Sequence, residues 1–133
     1  MKLAVIGSRT FNNYITLKIV IDDLCDAFNI DTIVSGGAKG ADRLAEVYAD
    51  EHHLKLDVYP ADWDKHGRAA GYIRNNFIWD NADMGVAFWD GQSKGTAHSF
   101  DISKKQSKPL YVFNYTVIDF YLYSVNAENP IIF

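Results

Sequence analysis

Ser35-Gly36-Gly37-Ala38-Lys39-Gly40-Ala41-Asp42 lies between two segments of different periodicity. Before it, Asp31-Thr32-Ile33-Val34 is a short apolar, β-branched run that reads as a buried strand; after it, Arg43-Leu44-Ala45-Glu46-Val47-Tyr48-Ala49 has apolar residues at helical spacing. Strand, glycine-rich turn and helix in succession place free backbone N–H groups at a helix N-terminus, where the aligned peptide dipoles favour an anion. Glycines let a phosphate approach the backbone with no Cβ in the way. Half of a phosphate cradle is expected here. Lys39 also fits a solvated lysine, and Asp42 a residue that favours the helix start. The turn matches neither the GxGxxG dinucleotide turn nor the GxxxxGK phosphate loop.

The same alternation runs outward in both directions. Lys2-Leu3-Ala4-Val5-Ile6 is a continuous apolar strand of the kind buried on both faces of a parallel sheet. Leu17, Val20, Ile21, Leu24, Cys25 and Phe28 then recur at helical steps, and that helix stops near Asn29. A third strand spans Leu54 to Tyr59, closed by Pro60 and followed by a polar loop from Ala61 to Arg68. A helix from about Ala69 to Asn81 carries Ile73, Phe77 and Ile78 inward. Met84 to Phe88 is a fourth strand, a short helix runs to about Lys105, and Pro109 to Phe113 is a fifth strand. Strands alternating with helices imply βαβ units with right-handed crossovers. The expected fold is a Rossmann-like three-layer α/β/α domain over residues 1–113, with a mainly parallel sheet of about five strands. Residues 114–133 form an aromatic C-terminal extension, and Phe113 just before it with Tyr115, Val117, Phe120, Tyr121 and Tyr123 look like strand material. An added hairpin or edge strand is expected there, packed on the core or at a subunit interface.

At 133 residues and 48% hydrophobic, the chain is one globular domain with a real core. A net charge of −4 and a pI near 5.4 supply no general pull toward nucleic acid or an anionic membrane, so neither is expected as a partner and any anion site must be local. The single cysteine, Cys25, excludes an intrachain disulfide and reads as a buried structural thiol on the apolar face of its helix. No apolar run approaches the roughly 18 residues that span a bilayer. The chain opens directly on a strand with no signal-peptide pattern, so a cytoplasmic location is expected. His66 has no companion at metal-ligand spacing, and neither a metal nor a required cofactor is expected.

In open α/β sheets, ligands bind at the carboxyl ends of strands, where the polar loops of this chain converge. Gly7-Ser8-Arg9 brings a hydroxyl and a guanidinium suited to a bidentate phosphate contact. Gly36, Gly37, Ala38, Lys39 and Asp42 form the second loop. In the third, Asp62, Trp63, His66 and Arg68 are candidate base or ribose contacts, and Arg74 and Asn75 candidate phosphate ligands. Trp63 fits either a base-stacking or a packing tryptophan, and Arg74 fits a structural salt bridge equally. The fourth loop supplies Gly91, Ser93, Lys94, Gly95 and Thr96, with Thr96 also placed to cap the following helix.

Together, Gly7-Ser8-Arg9, the Ser35–Asp42 run, Gly71-Tyr72-Ile73-Arg74-Asn75 and Trp89-Asp90-Gly91-Gln92-Ser93-Lys94-Gly95-Thr96 resemble the YspA-type branch of the SLOG superfamily, the fold shared by Smf/DprA proteins and the LOG cytokinin-activating enzymes. The resemblance covers roughly residues 1–113 and implies a Rossmann-like fold that binds nucleotides or nucleotide-derived ligands. LOG-type phosphoribohydrolases carry a PGGxGTxxE motif whose glutamate takes part in cleavage; here Ser99 stands in its place. The arginine of the family's RK motif is matched by Arg74, followed by Asn75 in place of lysine. N-glycosidic cleavage needs a carboxylate. The resemblance therefore implies holding rather than cutting. The expected ligand is an ADP-ribose-like or cyclic-nucleotide-derived signal, sensed or sequestered by a homo-oligomer, as would suit a phage or mobile-element protein. One alternative is a nucleotide hydrolase whose carboxylate has moved to Asp42, Asp62, Asp64 or Asp90. The other is DprA-like binding of single-stranded DNA, which 13 Lys plus Arg against 17 Asp plus Glu weigh against.

Overall fold

The computed structural model describes residues 1–115 in full and, beyond them, the backbone of residues 121–125 and 130–132. The five expected parallel strands are present: β1 (Lys2–Gly7), β2 (Thr32–Ser35), β3 (Lys55–Val58), β4 (Met84–Trp89) and β5 (Leu110–Asn114). They lie in the order β3-β2-β1-β4-β5, and the same sheet continues with β6 (Tyr121–Val125) and β7 (Pro130–Ile132), each antiparallel to its neighbour. Val117 and Phe120, expected as strand material, lie outside the described residues.

Strand periodicity sorts the core into two layers. Leu3 and Val5 of β1 face one side, where α1 (Tyr14–Ala27) and α2 (Ala41–Glu51) bury Leu17, Ile21, Ala45 and Tyr48. Ala4 and Ile6 face the other side, covered by α4 (Ala70–Asp80) and α5 (Lys94–Lys105). α1 begins where the Asn13 side chain accepts the Thr16 N–H at 3.1 Å, and it ends before Phe28. Cys25 is half-buried with its Sγ 3.8 Å from the Tyr48 hydroxyl, and burial pushes its thiol pKa up. β3 is the sheet edge, which leaves Leu56 and Val58 39% and 40% exposed.

Three local expectations are corrected. The polar loop after Pro60 is partly helical: α3 (Trp63–His66) starts where Asp62 accepts the Lys65 N–H at 3.1 Å, and a 3-10 turn over Gly67–Ala69 leads into α4. Phe77 does not face inward; it is 55% exposed. The buried stripe of α4 is Asn75, Ile78 and Trp79, spaced at i, i+3 and i+4, which turns position 77 outward. Finally, the cap of α5 is Ser93, whose Oγ accepts from the Thr96 backbone N–H, so Thr96 lies in the first turn.

Trp79 is fully buried over Gly85 of β4, whose ideal Cβ would stand 2.5 Å from the Trp79 Cη2. Gly85→Ala is therefore expected to cost about 1–3 kcal/mol by overpacking. Urea unfolding measures this, and an unchanged midpoint would contradict the packing described.

Candidate functional site

The strand order reverses direction between β1 and β4, and the loops leaving these strands part there to form a crevice. A cavity of about 470 Å³ occupies it. The β1 loop contributes Gly7, Ser8, Arg9 and Thr10, and the β2 loop Ala38 and Asp42. Trp63, Arg68, Tyr72, Arg74 and Asn75 form the wall from α3, the 3-10 turn and α4, while Asp90, Ser93, Gly95, Thr96 and Ser99 close the β4 side. A second cavity of about 370 Å³ adjoins it, lined by Gly36, Gly37, Lys39, Arg43, Pro60 and Ala61 together with Arg9, Ala38, Trp63 and Arg74. Asp62, His66, Gly91 and Lys94 line neither. Arg43 escaped the sequence reading because a charged residue in a first helical turn looks like ordinary solvated surface.

The glycine turn has a different local logic from the one its sequence suggests. Arg74 Nη1 donates to the Gly36 carbonyl at 2.7 Å, and its Nε donates to Asn75 Oδ1 at 3.1 Å. The Ala38 N–H donates to Asp42 Oδ2 at 3.2 Å, and the Gly37 N–H donates to Ser35 Oγ at 3.1 Å. An ideal Cβ on Gly36 would stand 2.6 Å from Arg74 Nη1 and 2.8 Å from Asp42 Oδ2. The space freed at Gly36 is thus filled by the protein's own guanidinium and carboxylate. Asp42 sits in the cradle as an internal anion. By contrast, a Cβ at Gly95 would meet nothing within 4 Å, so the first turn of α5 is open to the cavity.

Burial raises the Asp42 carboxyl pKa to about 6, against the lowering effects of the Ala38 N–H and the Arg74 charge. A carboxyl whose folded pKa lies above its unfolded value binds more protons when folded, so its contribution to stability is present below about pH 4 and is lost as pH rises through 6. The loss amounts to about 3 kcal/mol at most. The urea midpoint of the native chain should therefore fall between pH 4 and pH 7 by more than that of Asp42→Asn; parallel profiles would contradict this assignment.

Asp90 differs. Its carboxylate accepts the Ser93 and Gln92 N–H groups at 2.7 and 2.8 Å, which hold its pKa below the usual range. Its own N–H donates to the buried Ser8 Oγ at 3.1 Å, tying the β4 loop to the β1 loop. Asn75 Nδ2 donates to the Gly95 carbonyl at 3.1 Å and so fixes the start of α5 against α4. Ser99, the residue in the place of the LOG glutamate, is buried in the cavity wall. Among the described residues, no three His, Cys, Asp or Glu side chains gather to hold a metal ion, and no helix is long and apolar enough to cross a membrane.

The sequence model of the YspA, cpYpsA-related SLOG family matches residues 1–66. The gene 61 protein of Mycobacterium phage D29 is 31% identical over 122 residues, a match covering 84% of this chain and 95% of the phage protein. The chain belongs to the SLOG superfamily. Among solved structures, this SLOG domain is similar to DNA processing protein A from Helicobacter pylori, described for its single-stranded DNA binding mode. That likeness has a TM-score of 0.59 at 22% identity and spans 84% of this chain but only 64% of the DNA processing protein chain.

One expectation falls with this comparison. Net acidity does not set nucleic acid aside as a partner, because a protein with the same fold is a single-stranded DNA binder. Net charge averages over a whole surface. In this SLOG domain Arg9, Lys39, Arg43, Arg68 and Arg74 are gathered around the two cavities at one edge of the sheet.

Proposed function

We propose that this domain binds nucleotide units by phosphate and base in the cavity over β1 and β4, and that it takes them from single-stranded nucleic acid. The observation that carries this reading is the presence of Arg9 and Arg74 in the walls of an open crevice that is also lined by Trp63, an aromatic residue 51% exposed and so available to stack on a base. Basic side chains that track a backbone and aromatic faces that accept bases are the general means of holding a single strand. SLOG membership and the shared fold support nucleotide or nucleic-acid binding. Holding is favoured over cutting, since Ser99 supplies no carboxylate and the Asp42 and Asp90 carboxylates are engaged by backbone N–H groups.

A second reading, a free nucleotide derivative such as an ADP-ribose-like or cyclic-nucleotide-derived signal, is favoured by the cavity volume of about 470 Å³. That volume is within the range of small-molecule pockets. A gel-shift titration of the full chain with a single-stranded 12-mer and its duplex, beside a calorimetric titration with ADP-ribose, tests both readings. Retention of the single strand, weakening with salt, supports the first reading. Binding of ADP-ribose with no retention of the strand supports the second. Failure of all three ligands overturns both.

A further inference from the structure

The two cavities share a wall. Arg9, Ala38, Trp63 and Arg74 face both of them, so the crevice is one groove with two chambers. The chambers differ in charge. The first has Asp42 and Asp90 among its walls, whereas the second adds Lys39 and Arg43 to the shared arginines and has no acidic residue in its lining. We propose that the second chamber is a subsite for a second phosphate-bearing unit, so that the groove takes a ligand two nucleotide units long whose linking phosphate lies between Arg9 and Arg74. The inference rests on the nucleotide-binding reading above.

Size, charge and rigidity each support it. Both chambers, at about 470 and 370 Å³, are large enough for a nucleotide-sized group. Lys39 and Arg43 are exposed, and the ion pairs among the described residues involve neither. Burial lowers the Arg74 pKa; Asp42 opposes that and the charge of Arg9 adds to it, so an anion between the two guanidiniums is favoured by both charges. The Arg74 fork is already fixed by Gly36 and Asn75. A group held in place before the ligand arrives loses little entropy on binding. Trp63, on the shared wall, offers its face to a base next to the linking phosphate.

Isothermal calorimetry on the full chain tests the proposal with three probes: AMP as one unit, the 5′-phosphorylated dinucleotide pApA as two, and a dA 12-mer as a strand. In the native chain pApA should bind about tenfold tighter than AMP, the gain of one additional charged phosphate contact. In the Lys39→Ala, Arg43→Ala double variant that ratio should fall to within about threefold, and the salt dependence of pApA binding should flatten by about one unit of slope. Both side chains are on the surface, so the variant should fold; its urea midpoint checks this. An equal ratio in the two proteins overturns the second subsite, as does a native chain that gains nothing from pApA over AMP. In either case AMP binding leaves the nucleotide reading standing. Failure of all three probes overturns that reading and this inference together. A 12-mer that outbinds pApA identifies a strand as the source of the two units, and equal affinities identify a short ligand; the subsite stands in both.

Discussion

Gly40→Ala is expected to destabilise the domain by about 3–5 kcal/mol. Gly40 has φ +80° and ψ −129°, a backbone region that L side chains rarely adopt. Its ideal Cβ would stand 2.3 Å from the Ser8 carbonyl oxygen and 2.7 Å from the Arg9 carbonyl carbon. These are backbone atoms, so no side-chain rotation relieves the overlap. The β1 and β2 loops would have to separate, and with them Arg9 and Asp42, which line the same cavity. Gly95→Ala provides the contrast. It has open space around it and sits in the first turn of α5, where alanine is the better helix former. The Gly40→Ala protein should lose both its urea midpoint and its ligand, whereas Gly95→Ala should keep its midpoint and lose affinity alone. Equal midpoints for the two would contradict the loop packing.

Arg74→Ala should weaken nucleotide binding by about 100-fold or more, the loss of two charge-assisted hydrogen bonds to phosphate. It also strips the Gly36 carbonyl of its donor and Asp42 of its nearest opposing charge, so a modest loss of stability accompanies it. Arg74→Lys separates the two effects. A lysine keeps the charge beside Asp42 but not the planar fork, so stability should recover more than affinity does. Calorimetric titration with AMP, alongside urea unfolding, measures both. A loss of affinity below about threefold would remove Arg74 from the binding site.

Much of the fold was legible in the chain because β1, β2 and β4 are buried on both faces. Val5-Ile6 and Val86-Ala87-Phe88 are apolar runs that no amphipathic helix needs, and the i, i+3, i+4 rhythm of Leu17, Val20, Ile21 and Leu24 admits only one reading. α4 was harder. Tyr72, Ile73, Phe77, Ile78 and Trp79 ring the helix, so periodicity alone does not choose the buried stripe; the space over Gly85 chooses Trp79. The glycines, serines and arginines at successive strand ends pointed to the edge of the sheet where the two cavities lie. The work done by individual glycines was not legible. Gly36 answers to Arg74 and Gly40 to the Ser8–Arg9 backbone, contacts between residues distant in sequence that no local motif encodes. Net charge misled for the same reason: it counts cations without saying where the fold gathers them.

The three tryptophans have a practical consequence. Trp79 is fully buried, Trp89 is half-buried with its Nε1 donating to the Ser93 carbonyl at 3.1 Å, and Trp63 is open to solvent on the wall common to both chambers. Their emission should therefore separate into a blue component that reports the core and a red one that reports the groove. Filling the groove should quench and blue-shift only the red component, while unfolding should shift the blue one. The molecule carries its own two-colour gauge of occupancy and integrity, readable without a label.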